Sequence, residues 1–318
     1  MSQAEWIETP AARFPSAPLW NPADCRLYWS DVEECRLYRL DPDTGACETV
    51  LDDGRPVGAM ALRPDGAILL FRDMGQIALF RDGAVSDFPV RTQLDIRKTR
   101  FSAAASDAVG RVVCAALSDT GHLARLFLLG ADGSISLIRE FTGIPAALAF
   151  SNDGTRLLLA NSHPTAAGVC SFEYTADSQT PVTAAPSVFV NCVSLSSRRE
   201  GIPTGVAFTR DGKILVSRRG AAVISAHLAD GAKCGAVRLP VRSPVGLCFG
   251  GKTGCDLFVT TAGFHRRPFE GIGAGKLAIF RDFALTSSRQ GPNDGNAAQD
   301  DSLLPAAAPL DGADPVAM

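Results

Sequence analysis

One phrase recurs along this chain of 318 residues, and a repeat at fixed spacing restricts the fold more tightly than any composition can. It reads "PSAPLWNPADCRLYWSD" from Pro15, "PVGAMALRPDGAILLFRD" from Pro56 and "FSAAASDAVGRVVCAAL" from Phe101. It returns as "PAALAFSNDGTRLLLAN" from Pro145, "PTGVAFTRDGKILVSRRG" from Pro203 and "PVGLCFGGKTGCDLFVTTA" from Pro244. The six copies start about 41 to 58 residues apart. Each has apolar residues at alternate positions, as at Val206 and Phe208 and again at Ile214 and Val216. A polar turn containing glycine, such as Arg210-Asp211-Gly212, separates the two halves, so each copy reads as a β-hairpin.

Less regular hairpins follow most copies, for example "CRLYRLDPDTGACETVL" and "LARLFLLGADGSISLI". Two hairpins give four strands per unit, and units of this length are those of propeller blades. Six of them close into a ring with no long unpaired edge. The expected fold is all-β, a six-bladed β-propeller. A pair of β-sandwiches or a parallel β-helix is the alternative, and neither accounts for the unit length. "KLAIFRDFAL" (Lys276 to Leu285) is expected to supply a strand of the last blade, and the N-terminal "AEWIET" its outermost strand.

One domain over residues 1–285 follows, because the repeats run from residue 15 to 283 without a linker. Residues 286–318, rich in Ala, Pro, Asp and Gly, are expected to form a disordered tail. The net charge is -3 and the 31 basic residues are scattered, which argues against nucleic acid and an anionic membrane as partners. No apolar run reaches the length of a membrane span and the N-terminus lacks the apolar core of a signal peptide, so a cytoplasmic location is expected. Nine cysteines without a C-x-x-C pair read as reduced, buried thiols.

In a propeller the innermost strand of each blade runs along a central channel and its partner returns antiparallel, so hairpin starts and ends meet on one face. The starts contribute Ser16, Val57, Ser102, Ala146, Thr204 and Val245. The returning strands end at Ser30 and Asp31, Arg72 and Asp73, Ala116 and Leu117, Asn161 and Ser162, Arg218 and Arg219, and Thr260 and Thr261. A small-molecule site belongs on such a face.

The sequence resembles the senescence marker protein, gluconolactonase and regucalcin family over nearly all of residues 15 to 283. The resemblance rests on "LYWSDVEECRLYRLDPDTG", on "TRFSAAASDAVGRVVCAAL" against a T-R-F-N-D phrase followed by D-P-x-G-R, on "LAFSNDGTRLLLANS", and on "LPVRSPVGLCFGGKTGCDLFVTTAG". It implies a six-bladed propeller that opens sugar lactones with one divalent cation (Ca, Zn, Mg or Mn). That cation is held by a Glu of the first repeat, an Asn of the fourth and an Asp of the fifth, the last also proposed as base. An Arg and an Asn of R-F-N-D bind substrate.

Carried over by position, the Glu falls on Ser16, the Asn on Ala146 and the Asp on Thr204, while Arg100 and Phe101 remain and Ser102 and Ala103 replace Asn and Asp. Two hydroxyls and a methyl group do not compensate a hard cation for its lost water. No cofactor is therefore expected, and Thr204 cannot act as a general base without a neighbour to activate it.

The remaining candidates are Arg100, Ser102, Thr204, Ser16, Asn161 and Arg219 for binding a small polar molecule such as a sugar lactone. Asp119 and His122 of "LSDTGH" form a candidate acid/base pair, each also readable as an ordinary turn residue. Asp31 and Asp73 read either as catalytic carboxylates or as partners of a channel arginine such as Arg72. Two functions stay open: a propeller that keeps the pocket without metal-dependent lactone hydrolysis, or a metal-independent lactone or ester hydrolase using a rim carboxylate or His as base.

Overall fold

The second strand of each hairpin is buried at nearly every position, and its two faces serve two different cores. In Ile68–Arg72, Leu69 and Phe71 join one cluster while Ile68 and Leu70 join another. In Arg156–Asn161, Leu157 and Leu159 face one way and Leu158 and Ala160 the other. A strand covered on both faces carries a continuous apolar run, whereas a fourth strand such as Ala84–Asp87 is exposed throughout. Sheets packed face to face around a ring produce this gradient.

The structure is a computed structural model that describes residues 4–10, 12–118, 123–176, 178, 181–182, 187–191, 201–264 and 267–285. Among them, 24 strands, β1 to β24 in chain order, form six four-stranded antiparallel sheets. The innermost strands are β2 (Pro15–Asn21), β6 (Val57–Leu62), β10 (Arg100–Ser106), β14 (Pro145–Phe150), β18 (Ile202–Phe208) and β22 (Pro244–Gly250). Each is paired with the strand that follows it: β3 (Arg26–Asp31), β7 (Ile68–Arg72), β11 (Val112–Leu117), β15 (Arg156–Asn161), β19 (Ile214–Arg219) and β23 (Asp256–Thr261). Successive innermost strands touch one another, and β22 touches β2, which closes the six-bladed propeller.

The last blade takes its outer strands from both ends of the chain. β24 (Leu277–Phe280) pairs with β23, and β1 (Glu5–Ile7) pairs with β24 through Glu5–Ile279, Trp6–Ala278 and Ile7–Leu277. Both expected terminal strands are thus in place. No helix among the described residues is long and apolar enough to cross a membrane. The expected tail, residues 286–318, lies outside the described residues.

Candidate functional site at the channel mouth

All six innermost strands lose register with their partners near their first residues. The bulges fall between Ser16 and Leu19, Val57 and Ala59, Phe101 and Ala103, Pro145 and Ala147, Pro203 and Gly205, and Pro244 and Leu247. A bulge leaves a residue out of the ladder and re-aims its side chain. Ser102, Ala146 and Thr204 are such residues, as expected for a ring at the mouth.

The first two blades depart from the ring read off the sequence. Val57 pairs in register with Arg72 and is buried in a core, so the bulge residue of that blade is Gly58. A β-carbon there would run into the Phe101 carbonyl oxygen of the next blade, which restricts the position to glycine. In the first blade Ser16 pairs with Ser30, and Ala17 and Pro18 form the bulge, Ala17 with φ at 47°. Strand periodicity carries no trace of a bulge, so the alignment of phrases missed this one-residue offset.

A cavity of about 320 Å³ follows the channel. Its walls are alanines 103–105, 146 and 147, aliphatic side chains such as Met60, Val206 and Leu247, the Trp20 ring, and the hydroxyls of Ser16, Ser102, Ser106 and Thr204. Three candidate ligand-binding residues, Ser16, Ser102 and Thr204, therefore share one cavity. The other three, Arg100, Asn161 and Arg219, are not among its lining residues. Arg100 and Arg219 stand at the mouth end of β10 and β19, both partly exposed.

Two of these hydroxyls, Ser102 and Thr204, have partners in the next blade, as do three hydroxyls at the ends of returning strands. Ser102 Oγ donates to Pro145 O at 2.7 Å. Ser162 Oγ donates to Pro203 O at 2.6 Å, and Thr204 Oγ1 to Pro244 O at 3.0 Å. Ser217 Oγ donates to Val245 O at 2.5 Å and lies 3.1 Å from Thr204 Oγ1. Thr260 Oγ1 donates to Pro15 O at 3.2 Å and accepts from Gly246 N at 2.9 Å, which carries the chain of contacts across the closing junction. An innermost strand has a ladder on one edge only, so its buried carbonyls need donors from elsewhere. These side chains supply them.

The ends of the returning strands tie down loops. Asp31, fully buried, accepts from Arg13 N at 2.7 Å, Phe14 N at 3.2 Å and Glu33 N at 3.2 Å. Asn161 Oδ1 accepts from Ile144 N at 2.9 Å and His163 N at 3.1 Å, so this candidate is engaged with backbone. Thr261 Oγ1 donates to Gly273 O and Lys276 O, both at 2.8 Å. Arg72 is paired at 2.7 Å with Asp53, and so with neither Asp31 nor Asp73, while its buried Nε and Nη2 have no hydrogen-bond partner. Arg218 Nε donates to Ser225 Oγ at 3.0 Å.

Among the described residues no three His, Cys, Asp or Glu side chains group as cation ligands. At the three positions where the family resemblance places ligands, Ser16, Ala146 and Thr204, the donor set is two hydroxyls, one already committed to Pro244, and a methyl group. That set does not fit a hard divalent cation. Asp119 and His122 lie outside the described residues. Burial pushes the Cys47 thiol up to about 11 and that of Cys248 up to about 12, away from a nucleophilic thiolate.

One carboxylate at the mouth escaped the sequence reading. Glu270 ends the short helix Arg267–Glu270 that follows β23, outside the lining of the cavity, its backbone carbonyl accepting from Arg242 N just ahead of β22. The residue is buried, and among the described residues its Oε2 has no hydrogen-bond partner. It lies outside the repeated phrase, so no positional argument singled it out.

The comparisons with known proteins agree with this architecture. Residues 14–263 match the family model described as the SMP-30/gluconolactonase/LRE-like region. Pentonolactonase XacC of Haloferax volcanii is 29% identical over 253 residues, spanning 80% of this chain and 83% of that protein. A calcium-binding protein, regucalcin, from Agrobacterium tumefaciens superimposes with a TM-score of 0.76 over 88% of this chain and 93% of its own, at 17% identity. A gluconolactonase from Xanthomonas campestris superimposes with a TM-score of 0.68 over 84% and 86%, at 18% identity.

Proposed function

The chain belongs to the SMP-30/gluconolactonase/LRE-like family, and from that premise we propose that it receives a small polar molecule of the lactone class at the channel mouth without cation-dependent hydrolysis. The observation that supports this most is the use made of Thr204 and Ser102. Their hydroxyls face the mouth but donate to Pro244 O and Pro145 O, so they hold blades together. Polarising a lactone carbonyl and activating a water are the metal's tasks in such a reaction. Ser16, Ala146 and Thr204 offer no carboxylate to place it. A lactone ring would still find hydrogen-bonding hydroxyl oxygens and, at the rim, the guanidinium of Arg100.

A second reading is supported by Glu270. A buried carboxylate with one oxygen lacking a partner, on the mouth face, is a candidate general base for metal-independent opening of a lactone or ester. Sugar-lactone hydrolysis measured with added divalent cation, with chelator, and in Glu270→Gln separates the readings. The main proposal expects lactone binding without turnover under every condition. Turnover that persists in chelator and disappears in Glu270→Gln supports the second reading. Turnover that requires the cation contradicts both.

A further inference from the structure

The channel behind the mouth has a different chemistry from the mouth itself. Of the four hydroxyl side chains lining the cavity, three donate to backbone carbonyls: Ser102 to Pro145 O at 2.7 Å, Thr204 to Pro244 O at 3.0 Å, and Ser106 to Leu62 O at 2.6 Å. The carbonyls they serve lie on the unladdered edges of the innermost strands, so one bond removes a donor and engages an acceptor together. Besides the Ser16 hydroxyl, what the cavity then presents is mostly methyl groups of alanine, valine and leucine, the Met60 thioether and the Trp20 ring. Trp20 stands near the far end of β2 and stacks on Phe258 at 5.7 Å with the rings 11° apart. The apolar lining therefore runs the length of that strand, from Ala17 to Trp20.

Size and wall chemistry together define what such a space takes. An apolar cavity of about 150 Å³ stays dry and binds benzene. The cavity here is about 320 Å³ and open at the mouth, with three of its four side-chain hydroxyl donors turned into the walls. Water gains little there, since each molecule needs two or more polar partners.

We infer that the central channel is a binding site for an apolar tail, so that the ligand of this protein is amphiphilic: a lactone or ester group at the mouth and a hydrocarbon chain down the axis. The inference rests on the mouth reading above only for the polar end. A sugar lactone, polar at every carbon, would bury hydroxyls against methyl groups without partners. An alkyl-substituted lactone gains on every methylene it inserts.

The test is a homologous series titrated calorimetrically into the full chain: γ-lactones from butyrolactone to dodecalactone, and n-alkanols from butanol to decanol. The expected result is an affinity that climbs about fourfold per added methylene, the ratio implied by about 0.8 kcal/mol per buried CH₂, and then levels off once the channel is full. Ala104→Phe, which enlarges a half-buried side chain of the cavity wall packed beside the Phe71, Phe101 and Phe127 core, should abolish the climb. The series on the unmodified chain stands by itself if that variant fails to fold. Lactone affinity that is flat with chain length overturns the inference and leaves the mouth reading intact. Alkanols that bind with the climb while no lactone binds uphold the channel and overturn the mouth. Absence of binding by both series overturns both.

Discussion

Four of the six blade junctions at the mouth share one kind of joint, which the two that flank the second blade lack among the described residues. Between the third and fourth, fourth and fifth, fifth and sixth, and sixth and first blades, a Ser or Thr hydroxyl donates to a proline carbonyl of the next innermost strand. At the second blade no such bond exists among the described residues. Its bulge residue is Gly58, packed so closely under the Phe101 carbonyl that no side chain fits, and its strand end is Arg72 with a single ion pair to Asp53. The two solutions meet the same requirement, that backbone edges facing a channel receive donors or be covered by close approach, and the junction of the fifth and sixth blades has both, since a β-carbon at Gly205 would run into the Val245 carbonyl oxygen. The hydroxyl solution occupies two positions of the family resemblance, Thr204 at that of a cation ligand and Ser102 at that of the substrate-binding Asn, and the glycine solution needs no polar side chain at all.

The comparison breaks most visibly at Gly58. Gly58→Ala forces the Phe101 strand aside, and a loss of more than about 3 kcal/mol, or failure to fold, is expected in denaturant unfolding. A loss under about 1 kcal/mol would show that the second and third blades separate easily and that close approach holds nothing.

Removal of single hydroxyls should cost less, in an order set by burial. Thr204→Val keeps the shape but leaves the buried Pro244 carbonyl without its donor, and about 2 kcal/mol is expected. Ser102→Ala sits at a half-buried position where water can replace the hydroxyl, and about 1 kcal/mol or less is expected from the same measurement. Equal costs at the two positions would remove burial as the explanation.

The number of blades, their strand count and the closure by both chain ends were legible in the sequence, because the repeated phrase fixes the unit and the leftover apolar segments have one place to go. The mouth was legible for Ser102, Ala146 and Thr204, which follow the first residue of their copies and do lie in the bulges. It was misread at Val57, because a bulge shifts a residue without disturbing the apolar pattern around it. The committed hydroxyls were hidden for a related reason: each partner is a backbone carbonyl, and a carbonyl has no letter in the sequence. A trace was nevertheless present. Ser102, Ser162 and Thr204 reach carbonyls 43, 41 and 40 residues further on, about one repeat, so each hydroxyl stands one unit ahead of the proline it serves. Asn161 could not be separated from a binding residue by pattern, since its loop partners, Ile144 and His163, have no fixed motif.

The central claim is that Ser16, Ala146 and Thr204, the last with its hydroxyl given to Pro244 of the next blade, cannot hold a cation. Isothermal titration of Ca²⁺, Mg²⁺, Mn²⁺ and Zn²⁺ into the purified chain, alongside the variant carrying Ser16→Glu, Ala146→Asn and Thr204→Asp together, tests it most directly. The account predicts no saturable binding tighter than about 1 mM in the natural chain and a gain of binding in the triple variant. One cation held per natural chain at micromolar concentration would contradict it.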